Sequence, residues 1–246
     1  VERNLVYYRH QWPILVSGFF EPLFYLLGLG VGVGSLVGPV AGPDGRPVAY
    51  GAFVAPALLA TSAMNGAIYE ATYNFFGKLR WQKTYQAIVA TPLRMGDVAL
   101  GELLWALIRS GLYSAAFLAV IVAWGLTRGP WVVLALPATL LLGFAVGAAG
   151  MAATTYLRNW TDLDLVTLVT LPVFLFSGTF YPVTVYPEPW RSLVWLSPLY
   201  HGSELLRRLT LGMVDPALLV HIGFLVLLGT AGLLVAGHRL ERRLTQ

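Results

Sequence analysis

Residues Phe174 to His201 read FLFSGTFYPVTVYPEPWRSLVWLSPLYH. The apolar run that begins near Leu165 meets Ser177-Gly178 before it reaches the roughly 20 residues a helix needs to cross a ~30 Å hydrocarbon core. Pro182, Pro187, Pro189 and Pro198 follow, interleaved with Tyr181, Tyr186, Trp190, Trp195 and Tyr200. A polar pair, Ser203-Glu204, and a basic pair, Arg207-Arg208, come next. Interrupted backbone at membrane depth is tolerated only where protein or a wet cavity covers its polar groups. The stretch therefore predicts short helices that dip into one face of a membrane and turn back, forming a lining or a gate for a molecule that moves.

The rest of the chain fits that setting. Of 246 residues, 57% are hydrophobic and 11% charged, against about 25% charged in a soluble domain. Six apolar spans of about bilayer length are predicted at 14–37, 49–73, 99–126, 131–156, 164–181 and 217–237, the fifth being the short one. The β-barrel alternative lacks the short alternating segments it requires. With no hydrophilic block large enough for a separate unit, residues 1–246 read as one all-α transmembrane domain with a re-entrant segment over 174–211, between the fifth and sixth helices. No cleavable signal pattern is visible.

The net charge of +4 follows the positive-inside rule. Arg3, Arg9, Lys78, Arg80, Lys83, Arg94, Arg158, Arg239, Arg242 and Arg243 fall on one side, and Arg46, Arg128, Arg191, Arg207 and Arg208 on the other. The richer side is the cytoplasm and carries both termini. No water-exposed basic face is present for nucleic acid, and the absence of cysteine excludes disulfide, thiol and iron–sulfur chemistry.

Residues 1–13 place Leu5, Tyr8 and Trp12 at helical spacing with Arg3 and Arg9 off that stripe, as in an amphipathic helix lying on the inner membrane surface. The loop 74–98 repeats the pattern. Trp81, Tyr85, Ile88 and Val89 share one face, with Lys78, Arg80 and Lys83 off it. That helix is either an interfacial anchor or a rod that docks into a cytoplasmic partner. Thr161 is the expected cap of the fifth span.

Charges inside the spans are expensive and face a bundle interior or a wet cavity. Glu21-Pro22 lies in the first span and Arg109 in the third. Arg109 is expected to pair with Glu70, Glu102 or Glu21, either as a structural lock or as part of a pathway. Gly28, Gly30, Gly32 and Gly34, and Gly143 with Gly147, give small-residue spacings for close helix approach. The run GLGVGVGS at 28–35 has no lysine and is not a phosphate loop. With no nucleotide-binding motif in the chain, ATP-driven work requires another polypeptide. His201 and Glu204 share a face but lack a third metal ligand. Ser177 with His201 would make an intramembrane hydrolase the distant alternative, but there is no elbow motif or orienting acid. The aromatics from Phe174 to Tyr200 form either an interfacial belt or a platform for an amphiphile.

Several of these segments together resemble the membrane subunits of type-2 ABC exporters, particularly the nodulation-factor (lipo-oligosaccharide) exporter permeases. They are EPLFYLLGLGVGVG at 21–34, YGAFVAPALLATSAMNGAIYEATYNFFGKL at 50–79, KTYQAIVATPLRMGDVALGELLWALIR at 83–109, LPVFLFSGTFYPVTVYP at 171–187 and LSPLYHGSELLR at 196–207. The resemblance covers nearly the whole chain. It implies a catalytically inert permease in a bacterial inner membrane, working as a dimer with a second copy or a paralogue and with two P-loop ATPase subunits that bind MgATP. The chain itself would hold no cofactor or metal. It implies that Lys78, Arg80, Trp81, Lys83, Tyr85 and Ile88 couple to the ATPases. Glu21, Arg109, Phe176, Phe180, Tyr181, Trp190 and Tyr200 are the expected pathway and gate residues, and Glu70, Glu102 and Arg109 the structural charges. The substrate class implied is a glycolipid or lipo-oligosaccharide, with a hydrophobic drug as the alternative and a membrane scaffold as a reading without transport.

Overall fold

The computed structural model describes residues 20, 22–80 and 95–244. The expected interfacial helix over 1–13, Glu21, and the loop residues Trp81, Lys83, Tyr85 and Ile88 lie outside them. The described chain is predominantly helical. Helix α1 (Pro22–Val37) is followed by a two-stranded hairpin, β1 (Val40–Ala41) and β2 (Pro47–Val48), paired antiparallel with Val40 opposite Val48. Helices α2 (Tyr50–Arg80), α3 (Met95–Ala123) and α4 (Pro130–Thr154) come next. Then follow α5 (Asp164–Phe176), the short α6 (Trp190–Val194), α7 (Pro198–Thr210) and the long α8 (Ala217–Leu244). Among the described residues, α2, α3, α4 and α8 are long and apolar enough to cross a membrane, and α1 is a shorter apolar helix.

Helix α2 is the axle. At 31 residues it runs ~46 Å, and its Ala-rich sequence lets α1, α3, α4 and α7 all approach it. Gly143 and Gly147 of α4 face Ala67, at 3.8 and 3.6 Å from where their Cβ atoms would stand, so this small-residue pair packs inside the chain. Gly28 and Gly32 of α1 have nothing within 4 Å of that position, whereas Gly30 approaches the Gly51 backbone. The tightest crossing joins α8 to α4, where a Cβ on Gly232 would stand 2.7 Å from the Ala148 and Ala149 backbone.

Lipid provides little hydrophobic force between helices, so close packing and interhelical hydrogen bonds hold the bundle. Ser110 Oγ donates to the Ala63 carbonyl (3.2 Å) and Thr154 Oγ1 to the Ala71 carbonyl (3.2 Å). Each such bond contributes about 0.6 kcal/mol.

Several boundaries differ from the sequence expectation. Helix α2 continues to Arg80 and α3 begins at Met95, so the segment between them is shorter than 74–98. Lys78 is held by Glu102 (2.5 Å) and Arg80 donates to the Leu157 carbonyl (3.1 Å), extending α2 by two turns. Helix α5 stops at Phe176 rather than 181 because Gly178 takes a left-handed conformation (φ 70°). At 13 residues it is only ~20 Å long. Finally, the turn before α5 starts at Asn159, not Thr161. The Asp162 carboxylate accepts from the backbone N–H groups of Arg158 (2.7 Å) and Asn159 (3.0 Å), and these bonds hold its pKa below the usual carboxylate value.

The two ends of the bundle are distinct. Lys78, Glu102, Arg80, Leu157 and the contact of Gly237 with Gly96 mark one end. The hairpin, the Arg128 N–H bonded to the Thr210 carbonyl, and the segment after α5 mark the other.

Candidate functional site

A cavity of about 590 Å³ opens between α1, α2, α3 and α5. Helix α2 supplies Thr61, Ser62, Asn65, Gly66 and Tyr69; α3 supplies Arg109 and Tyr113; α5 supplies Thr167, Thr170 and Phe174. Tyr25 of α1 closes one side, its ring 6.1 Å from that of Phe174.

The polar groups have a helical order. Thr61, Asn65 and Tyr69 recur every four residues, and Thr167 and Thr170 are three apart, so each set lies on one face of its helix. Thr61 spends its hydroxyl on the Ala57 carbonyl (2.9 Å), whereas Asn65 is exposed. Asn65 stands midway along the 31-residue α2. A primary amide facing hydrocarbon at that depth is unfavourable, so this face belongs against water, a ligand or another chain.

The lower wall is charged and braced. A π-helical turn over Glu70–Asn74 turns Glu70 inward, where it is paired with Arg109 of α3. Asn74 Nδ2 donates to Glu70 (2.7 Å), and Arg109 Nε donates to the Tyr113 hydroxyl (3.2 Å). A buried carboxylate and guanidinium persist in such surroundings because each satisfies the other's charge and hydrogen-bonding capacity. Glu102 is engaged with Lys78 one level further along α3.

Of the pathway residues expected from sequence, Arg109 lines this cavity, and Phe180 touches it indirectly, edge-to-face on Phe174 at 5.1 Å. Glu21 is outside the described residues, Phe176 is the last residue of α5, and Tyr181, Trp190 and Tyr200 lie beyond it. The Tyr181 and Tyr186 hydroxyls are hydrogen-bonded, and Tyr186 lies 6.5 Å from the Phe176 ring. Trp190 is largely exposed. Tyr200 is buried in edge-on and tilted ring contacts with Trp195, His201 and His221. Thr61, Ser62, Asn65, Tyr69, Thr167 and Thr170 were not anticipated. The signal that finds them is a polar stripe of period four inside an apolar run.

Arg207 ties the segment after α5 to α2. Arg207, counted with the cations of the outer side, is 1% exposed. Its Nε donates to the Phe53 carbonyl of α2 (3.0 Å), one Nη donates to the Gly178 carbonyl (2.9 Å) and the other pairs with Glu204. The guanidinium carbon lies 3.8 Å from the Phe53 ring centroid. Two backbone carbonyls, a carboxylate and a π face replace the lost water, which is why the arginine can be buried. Arg208 pairs with Asp215 and, at 3.9 Å, with Glu204.

The hydrolase alternative fails on geometry. Ser177 Oγ is bonded to Ser197 and to the Val173 carbonyl. His201 Nε2 must donate to the Trp195 carbonyl (2.9 Å), so in neutral His201 Nδ1 accepts from His221 (2.9 Å). Neither ring nitrogen of His201 is left to serve as base toward Ser177.

The comparisons agree with the helical architecture. The sequence profile described as ABC-2 type transporter matches residues 1–211. Nodulation protein J of Rhizobium leguminosarum bv. trifolii is 35% identical over 94% of this chain and 86% of its own length. Nodulation protein J of Rhizobium meliloti (strain 1021) is 32% identical over the same shares. The inner membrane transport permease YadH of Escherichia coli (strain K12) is 25% identical over 93% of this chain and 87% of its own length. With the profile covering most of its length and relatives above 30% identity along nearly all of it, the chain belongs to the ABC-2 type transporter family of membrane permeases.

Proposed function

We propose that this chain is the permease subunit of an ATP-driven exporter, inert by itself, and that the cavity between α1, α2, α3 and α5 is the membrane-embedded part of its substrate pathway. The observation that carries this reading is the exposed Asn65 at the midpoint of α2. A span that served only to cross would not leave an amide there.

The lining also favours one substrate class. Among the described lining residues, the polar groups are hydroxyls, one amide and one guanidinium, with the rings of Tyr25, Tyr69 and Phe174 beside them. Hydroxyls and amides both donate and accept, which suits the hydroxyl array of a sugar headgroup, and flat aromatic faces suit sugar C–H surfaces. The one charged group among them, Arg109, is already paired with Glu70. A neutral amphiphile with a glycan head fits these groups better than a cationic drug. The similarity to nodulation protein J supports a lipo-oligosaccharide in particular.

The energy source in this reading is a separate pair of ATPase subunits, placed at the end of the bundle that carries Lys78 and Arg80 and facing the cytoplasm of a bacterial inner membrane. A second permease copy completes the pathway, and the segment over 177–211 caps its outer end. Reconstitution with the partner ATPase tests this. A lipid-linked oligosaccharide should stimulate ATP hydrolysis, and Asn65→Leu should raise the concentration required by about ten-fold, the equivalent of one lost hydrogen bond to substrate. An unchanged response in Asn65→Leu would remove the cavity from the pathway.

A further inference from the structure

A second cavity, of about 570 Å³, lies at the Lys78–Arg80 end of the bundle, away from the proposed pathway. It is formed by Tyr156, just beyond α4, and by Leu234, Val235, His238, Arg239 and Arg242 of α8. On α8 these residues follow the spacing of one helical face. Val235, Arg239 and Arg242 are four and three apart, and Leu234, His238 and Arg242 are each four apart.

The face has two zones. The apolar run of α8 ends at Ala236, so Leu234 and Val235, both exposed, stand at the level of acyl chains. One turn further, His238, Arg239 and Arg242 stand at the level of headgroups. Tyr156 is placed where interfacial tyrosines collect, and the Arg239 guanidinium carbon sits 4.1 Å from its ring centroid. The π contact orients the guanidinium but uses none of its N–H donors. Arg239 Nε is buried and has no acceptor among the described residues. Among the described residues no carboxylate forms an ion pair with Arg239 or Arg242. Glu241 is about 160° around the helix from Arg239 and about 100° from Arg242, at the Leu234 edge of the face. The walls are also fixed in advance, because Gly232 brings α8 against the α4 backbone two turns away.

We infer that this cleft is a binding site for an anionic phospholipid of the adjacent leaflet, its phosphate taken by Arg239 and Arg242 and one acyl chain laid along Leu234 and Val235. The guanidinium forks match phosphate oxygens, and basic clefts between membrane helices on the cytoplasmic side are suited to such headgroups. The site adjoins Leu157, whose carbonyl holds Arg80 at the end of α2, so a bound lipid would brace the joint from which the 81–94 segment departs.

The test needs no ATPase and no export substrate, so its outcome is independent of the proposed function. The purified chain is incorporated into nanodiscs of phosphatidylcholine with and without phosphatidylglycerol, re-extracted in mild detergent, and the retained lipid is quantified by mass spectrometry. Phosphatidylglycerol should be retained in preference to phosphatidylcholine by the parent and by R239K/R242K. R239Q/R242Q should lose that preference by on the order of ten-fold, while inorganic phosphate at matched ionic strength should leave the parent's lipid in place. Retention by R239Q/R242Q equal to the parent's would overturn the assignment. Displacement of the lipid by inorganic phosphate would show a free-anion site instead and would equally overturn it.

Discussion

Consider the Glu70–Arg109 pair, which joins α2 to α3 beneath the larger cavity. Their side chains are 4% and 11% exposed, so both charges are largely desolvated. Arg109→Gln removes the opposite charge from a buried carboxylate, and Glu70→Gln removes it from a buried guanidinium. Breaking such a pair from one side costs about 3–5 kcal/mol. For a chain of this length each kcal/mol moves the melting temperature by about 2–4 °C, so either single variant should melt roughly 6–20 °C below the parent. The double variant Glu70→Gln/Arg109→Gln behaves differently. Its two new amides can bond each other, and the one on α2 still has an oxygen to accept from Asn74, whose bond to Glu70 is 2.7 Å. It should recover more than half of the single-variant loss. Tryptophan fluorescence during heating in detergent reads this directly, the chain having 8 tryptophans. Additive losses in the double variant would refute the pairing as the reason these charges coexist. The same set separates two roles for Arg109. A double variant that regains stability and transport makes the pair a lock, whereas one that regains stability alone makes the guanidinium a substrate contact.

Three further outcomes follow from the geometry. Gly232→Ala, whose Cβ would meet the Ala148–Ala149 backbone at 2.7 Å, should destabilise the protein by about 1–3 kcal/mol through overpacking. Gly223→Ala, with nothing within 4 Å, should be neutral or slightly stabilising; equal melting temperatures for the two would contradict the α4–α8 crossing. Because Asp162 has a lowered pKa, its stabilisation is complete above the unfolded value of about 3.9 and is lost as pH falls through the folded one. The gap in melting temperature between parent and Asp162→Ala should therefore be present at neutral pH and close in acid, and a gap that is independent of pH would count against the two backbone bonds. Arg207→Met removes the bonds to the Phe53 and Gly178 carbonyls, so limited proteolysis within 177–197 should speed up several-fold. Unchanged cleavage would mean that other contacts hold the segment.

Helices α2, α3, α4 and α8 were legible because apolar runs of bilayer length have few other readings. The break at Ser177-Gly178 was visible, but the span was read on to 181, because a glycine's left-handed conformation is not evident from an apolar run. The cavity was harder to see. Thr61, Asn65 and Tyr69 are ordinary one at a time, and only their period of four inside α2 distinguishes them. Arg207 misled for a related reason. Beside Arg208 in sequence it looks like one half of a solvated basic pair, but adjacent helical residues point about 100° apart, and this one turns into the protein. The loop boundary at Arg80 was set by Glu102 and the Leu157 carbonyl, which are distant in sequence and give no local signal.

The central claim is that this permease works with a separate ATPase. Affinity purification of the tagged chain from its native membrane in mild detergent, with mass spectrometry of the co-purifying proteins, tests it most directly. The account predicts a P-loop ATPase in stoichiometric amount. A chain that purifies intact from that membrane with no ATPase at all would contradict it.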